Sequence, residues 1–183
     1  MGAFAGDPTL GWCFGARQDG YDSRLRAYLE AGHDFHVALG QPVEGAFAGG
    51  DLVGVVYAMT PEAEVSDADL AALRARLEDG CGSESARRFF QYHEVMEAIA
   101  PGSPCHVLAV VGVRDGFRGR GVGTRLVQWV GELCDGHASS LGVRLDTGTD
   151  RNVAFYQRLG YRVIGQESFN GLVERVMFRP RAG

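Results

Sequence analysis

The segment Val107–Leu133 reads VLAVVGVRDGFRGRGVGTRLVQWVGEL, and its reading decides the fold. The apolar run Val107–Val113 is short and rich in β-branched residues, as a buried strand is. Arg114-Asp115-Gly116 makes a turn. Val122, Leu126, Val127, Val130 and Leu133 then recur at helical spacing. The order is therefore strand, glycine-rich loop, helix. Glycines let a backbone approach a ligand closely. The first turn of a helix offers unpaired N–H groups and the positive end of the dipole. Together they form a seat for a phosphate or pyrophosphate.

Two common phosphate loops are excluded. A P-loop needs Gly-Lys-Ser/Thr, and all 18 basic residues of this chain are arginine. The dinucleotide fingerprint G-x-G-x-x-G fails because the third glycine, Gly123, comes one place early. What fits is Arg/Gln-x-x-Gly-x-Gly/Ala, present as Arg118-Gly119-Arg120-Gly121-Val122-Gly123. A second segment follows: Asn152-Val-Ala-Phe-Tyr156-Gln-Arg-Leu-Gly160-Tyr161. Gly160 sits where a helix C-cap belongs. Between the two segments there is room for a helix, a loop and a strand over Gly142–Thr147.

These two motifs in this order resemble the GNAT superfamily of N-acetyltransferases. The runs Leu108–Val113 and Asp150-Arg151-Asn152 are most similar to its puromycin N-acetyltransferase branch. The resemblance covers the chain from Val107 onward. It implies a mixed α/β fold with a mostly antiparallel central sheet flanked by helices. Its parallel central strands would splay apart at an acetyl-CoA site. It places the pantetheine arm along Val111, Gly112 and Val113. It places the pyrophosphate on the backbone of Arg118, Gly119, Arg120, Gly121, Val122, Gly123 and Thr124. Tyr156 matches the tyrosine that protonates the departing coenzyme A thiolate. Asn152 would bond the coenzyme arm or cap its helix. The implied activity is acetyl transfer from acetyl-CoA to a primary amine of a small molecule.

The chain departs from the family at its start. Tyr21–Ala31 has Leu25, Tyr28 and Leu29 on one face, and Gly32 is placed to end that helix. The first element is thus expected to be helical and the family's opening strand missing. The bared sheet edge could pair with a second copy as a homodimer. Phe35–Leu39 is predicted as a strand, Gly49-Gly50-Asp51 as a turn and Leu52–Met59 as a second strand. The first two strands would then be joined by more than a tight turn. Ser66–Glu78 reads as a helix opened by Ser66 and Asp69 as a capping box. Ser85–Ile99 reads as another, ended by Pro101-Gly102-Ser103-Pro104. Its Phe89, Phe90, Tyr92, Val95, Met96 and Ile99 are more simply core than site. Arg162–Phe169 and Leu172–Phe178, separated by Asn170-Gly171, are a hairpin.

The chain has 183 residues and 45% hydrophobic content, enough for the core of one domain, 1–183. A net charge of -5 gives no sign of nucleic-acid binding. From Val111 to Arg125 there are four arginines and one aspartate, a basic loop in an acidic protein, which suits a local anionic ligand. Cys13, Cys81, Cys105 and Cys134 have neither C-x-x-C nor zinc spacing, so free thiols, no metal and a cytoplasmic setting are expected. No run is long and apolar enough for a membrane helix. The base that deprotonates the amine stays open among His93, Glu94, Glu97 and His106. Two other classes also stay open: a non-catalytic acyl-CoA-binding protein, and a regulatory protein of the same fold without coenzyme.

Overall fold

The computed structural model describes residues 2–4, 6–99 and 104–182. The expected break at Pro101-Gly102-Ser103 lies outside the described residues. After a single 3-10 turn at Gly2–Phe4 come α1 (Pro8–Phe14) and α2 (Tyr21–Ala38), then β1 (Val43–Ala48) and β2 (Asp51–Met59). Next are α3 (Asp67–Cys81), α4 (Ser83–Ile99), β3 (His106–Val113) and α5 (Val122–Asp135). The chain ends with β4 (Gly142–Thr147), α6 (Asp150–Gln157), β5 (Arg162–Phe169) and β6 (Leu172–Pro180). The six strands form one sheet in the order β1-β2-β3-β4-β6-β5. Every neighbouring pair is antiparallel except β3 and β4. The sheet is thus the mostly antiparallel, mixed one expected, with helices ahead of its first strand.

Several elements follow their local chemistry. Ser66 and Asp69 form the capping box of α3. Asn170 (φ 45°) and Gly171 (φ 94°) make the β5–β6 turn. At the end of α6 the Gly160 N–H bonds the Gln157 carbonyl and the Tyr161 N–H that of Tyr156. With Gly160 at φ 87° this is a Schellman stop.

Two expectations are corrected. Gly32 does not end α2, and Phe35–Leu39 is no strand, because α2 runs on to Ala38. Leu25, Ala31 and His36 stay buried along it, and tertiary packing outweighs the roughly 1 kcal/mol a helical glycine costs. The true partner of β2 is β1, with Ala48 opposite Asp51, so Gly49-Gly50 is a tight hairpin turn rather than a longer loop.

One apolar cluster lies between α1–α4 and the β5–β6 end of the sheet. A second joins β2, β3, β4, α5 and Tyr156 of α6. Strand alternation follows this division. Val143, Leu145 and Met177 belong to the second cluster. Arg144, Asp146, Glu174 and Val176 therefore point the other way, under α1 and α4.

Candidate functional site

The β3–β4 ladder pairs only His106 with Val143 and Val107 with Arg144 among the described residues. Beyond these, β3 continues to Val113 and β4 to Thr147 without pairing each other. The sheet is open along its centre. On the other edge of β3, Tyr57 faces Val110 and Ala58 faces Leu108, so Ala109 is an extra, bulged residue. Bulges of this kind re-aim backbone groups beside active sites.

The split opens into a cleft of about 840 Å³. One end is walled by Val111–Val113, Arg118, Gly119, Gly121, Gly123 and Thr124. Gly119 (φ 74°) and Gly121 (φ 81°) take the left-handed backbone that favours glycine. Gly121 is the N-cap of α5 and makes no side-chain cap bond. The first intrahelical bond is donated by Arg125 N–H to the Gly121 carbonyl, 3.1 Å away. The N–H groups of the first turn are therefore left for an anion. Arg118 is engaged with Asp115 at 3.1 Å and donates to the Ala3 carbonyl at 2.9 Å. The Arg120 guanidinium lies over the Phe117 ring at 5.3 Å, and Arg120 and Val122 do not wall the cleft. Arg151 in the first turn of α6 and Arg158 at its C-cap do, and the sequence reading missed both.

Asn152 and Tyr156 both face this cleft. Thr149, not Asn152, caps α6; it accepts from the Asn152 N–H at 3.1 Å. The Asn152 amide instead donates to Thr147 Oγ1 at 3.1 Å, at the end of β4. Tyr156 is 6% exposed. Burial, then Tyr161 and the charges of Asp146 and Asp7, raise its pKa well above the ordinary phenol value, so it holds its proton at neutral pH.

Asp7, Thr9, Cys13, Tyr28, Phe89, Tyr92, His93 and Asp146 wall the other end. Asp7 caps α1 through Leu10 N–H at 3.0 Å. Tyr92 donates to Asp146, and Thr9 donates to Glu174. Glu174 is 0% exposed behind this wall. Burial, with Asp146 and Asp7 adding, pushes its pKa up to about 7. The Cys13 thiol is pushed up to about 12, first by burial and then by Glu174 and Asp7. A thiol so protonated is a poor nucleophile. Of the residues left open as base, only His93 reaches the cleft. Its side chain is exposed on the cleft wall, and desolvation by the surrounding residues lowers its pKa. His106 is buried against Ser140 Oγ at 2.9 Å, Glu97 is paired with Arg144, and Glu94 is exposed off the cleft.

Asp7, Asp146 and Glu174 come from a helix cap and two strands, and no sequence window holds them together. Glu174 alone left a trace: it occupies an inward position in the alternation of Leu172, Glu174 and Val176. All four cysteines are free, and no His/Cys/Asp/Glu group fit for a metal occurs among the described residues. No helix among them is long and apolar enough to cross a membrane.

Comparison with known proteins gives the same architecture a family. A model described as an acetyltransferase (GNAT) domain matches residues 35–163. A Corynebacterium glutamicum protein described as histone acetyltransferase HPA2 and related acetyltransferase is 24% identical, with a TM-score of 0.72 over 100% of this chain and 87% of its own. An agmatine N-acetyltransferase is 17% identical, with a TM-score of 0.62 over 97% of this chain and 88% of its own. The Drosophila melanogaster polyamine N-acetyltransferase is 18% identical, with a TM-score of 0.52 over 74% and 72%. At these identities the likeness to solved structures shows the fold.

Proposed function

The chain belongs to the GNAT acetyltransferase family, and we propose that it moves the acetyl group of acetyl-CoA directly to a primary amine of a small molecule. One observation carries the reading: the unpaired edge of β3 and the uncapped glycine start of α5 open on the same cleft as Tyr156. In this reading the pantetheine arm bonds the free edge at Val111, Gly112 and Val113. The pyrophosphate sits on the N–H groups of residues 118–124, with Arg151 and Arg158 adding charge. The Asn152 side chain reaches the coenzyme arm from α6. Backbone N–H groups at the Ala109 bulge polarise the thioester carbonyl. His93, neutral at working pH, takes the proton of the amine. Tyr156 gives its proton to the leaving thiolate. A relay through an acetylated Cys13 is disfavoured by its high pKa.

Among the proteins of this fold, two are named for agmatine and polyamine acetylation and the Corynebacterium protein for histone acetylation, so the small-molecule acceptor rests on the sequence resemblance and not on these likenesses. The puromycin branch rests on Leu108–Val113 and Asp150–Asn152 alone, so puromycin belongs among the acceptors tried. We read 1–183 as one catalytic domain. Its exposed β1 edge, where Phe47 is 67% exposed, would pair with a second copy, which sedimentation reads directly.

The test is single-turnover acetyl transfer with wild type and Tyr156→Phe. Phenylalanine keeps the ring and deletes the donor. A fall of about a hundred- to ten-thousand-fold is expected with acetyl-CoA binding little changed. An unchanged rate leaves Tyr156 as packing. Failure of the wild type to bind acetyl-CoA sinks the whole reading and favours a regulatory protein; binding without transfer favours a coenzyme-binding one.

A further inference from the structure

Gly112 is out of place in β3. It stands in the run Leu108–Val113, among valines, where a glycine weakens the strand and offers no side chain to pack. Inside a strand such a residue often marks the close approach of another group. Here that group is Phe4. Val111 and Val113 pack into the second apolar cluster with α5, so Gly112 between them presents bare backbone on the opposite face. The Phe4 ring lies on that backbone. A Cβ built on Gly112 would run into Phe4 Cζ and stand 2.8 Å from Cε2 and 3.0 Å from Cε1.

The turn that carries Phe4 is fastened on both sides. The Arg118 guanidinium, at the head of the glycine loop, donates to the Ala3 carbonyl at 2.9 Å. The Asp7 N–H donates to the Phe4 carbonyl at 3.1 Å and ties the turn to the cap of α1. Gly2, Ala3 and Phe4 wall the same cleft as Val111–Val113 and the glycine loop. Core packing does not account for this placement, because Phe4 belongs to neither apolar cluster. The turn touches both parts of the coenzyme seat, the strand through Gly112 and the loop through Arg118.

Strand geometry separates the ring from the edge beside it. The hydrogen-bonding groups of a strand point along the sheet, and its side chains stand across it. The ring takes the place that a side chain at 112 would fill. The edge of β3 that looks toward β4 is left unpaired next to it. A chain laid along that edge would run under the ring. We propose that Gly2–Phe4 is a strap across the coenzyme channel: Phe4 roofs the pantetheine arm at Gly112, and Arg118 fastens the strap to the phosphate loop instead of binding a phosphate. The pyrophosphate keeps the backbone N–H groups of the loop, and glycine at 112 is what lets the strap lie flat.

This role rests on the acetyl-transfer reading for the identity of the coenzyme, so it is tested in binding rather than turnover. Coenzyme A, and adenosine bisphosphate as its nucleotide end without the arm, are titrated calorimetrically into the full chain. Release of coenzyme A is timed by stopped flow. Phe4→Ala should weaken coenzyme A about tenfold, as uncovering part of an aromatic ring does, and through faster release. Adenosine bisphosphate should bind as it does to the wild type. Phe4→Leu should recover most of the loss, since it restores an apolar cover. Gly112→Ala should act as Phe4→Ala does, and the two together should cost little more than either, because both remove the same contact. Undiminished or tighter binding of coenzyme A by Phe4→Ala would overturn the strap. So would a loss shared equally by adenosine bisphosphate, or full additivity of the two substitutions. Such results with coenzyme A bound by the wild type strike the strap alone; a wild type that binds no coenzyme A strikes the acetyl-transfer reading instead.

Discussion

Glu174 shows how much a single residue of this site costs the fold. It is a carboxyl group without exposure, held by Thr9 and Tyr92, and it faces Asp7, Asp146, Cys13 and Tyr92. Its pKa stands at about 7 in the folded chain against an ordinary 4.5. The folded state therefore keeps a proton that the unfolded state releases between these values. By linkage, stability falls as pH rises through that window, and at neutral pH the penalty is on the order of 3 kcal/mol. Glu174→Gln keeps the shape and most of the hydrogen bonding but cannot ionise. Melting temperatures measured from pH 4.5 to 8 should nearly coincide for the two proteins at the acid end. They should diverge as pH rises, with the variant several degrees higher at neutrality. A constant offset across that range would mean that Glu174 does not titrate there. Such a group has no value for packing; it lies behind the cleft wall that carries Asp7 and Asp146.

At the scale of elements, what could be read from the sequence was what local chemistry dictates. α5 announced itself by its apolar spacing, α3 by Ser66 and Asp69, and the β5–β6 turn by Asn170-Gly171. β1 was not legible: VEGAFA has weak strand propensity, and its place is set by pairing with β2. The cleft wall drawn from Val111–Val113 and Arg118–Thr124 lies on one continuous stretch and carries the motif, while Asn152 and Tyr156 reach the cleft from the second motif on α6. The opposite wall draws on α1, α4 and β4, which only the fold brings together. The seat of α5 is equally non-local. A Cβ built on Gly54 of β2 would lie 3.0 Å from Leu126 Cδ1 and Val122 Cγ1, and 3.2 Å from the Gly112 carbonyl oxygen. Gly54→Val should lift the first turn of α5 from the sheet. Overpacking typically costs 1–3 kcal/mol. If that cost falls on the phosphate seat, acetyl-CoA binding weakens about tenfold or more, with a smaller effect for Gly54→Ala. Unaltered affinity in a folded Gly54→Val protein would show that the loop does not depend on this contact.

Across the whole molecule, the sheet is two three-stranded halves, β1-β2-β3 and β4-β6-β5, joined by a short stretch of parallel pairing. α5 spans the join, packing on β2, β3 and β4. A coenzyme lying in the open part of the join would bond to β3, to the start of α5 and to α6, and so tie the halves together where the ladder does not. A ligand that binds only the folded chain stabilises it by about 2.7 kcal/mol at a hundred times its Kd. For a chain of this length each kcal/mol moves Tm by roughly 2–4 °C. Saturating acetyl-CoA should therefore raise Tm by about 5–10 °C. The backbone amides of Leu108–Val113 should gain protection from hydrogen exchange more than those of the β5–β6 hairpin, which is already paired along its length apart from the bulge at Ile164. Gly121→Trp places a large side chain in open space over the loop and forces a left-handed backbone on a residue that resists it, φ being 81°. That variant should show neither the rise in Tm nor the added protection. An equal rise in the variant would move the coenzyme off residues 118–124. A rise in the wild type with no added protection along β3 would leave the pyrophosphate in place but take the pantetheine arm away from the open strand edge.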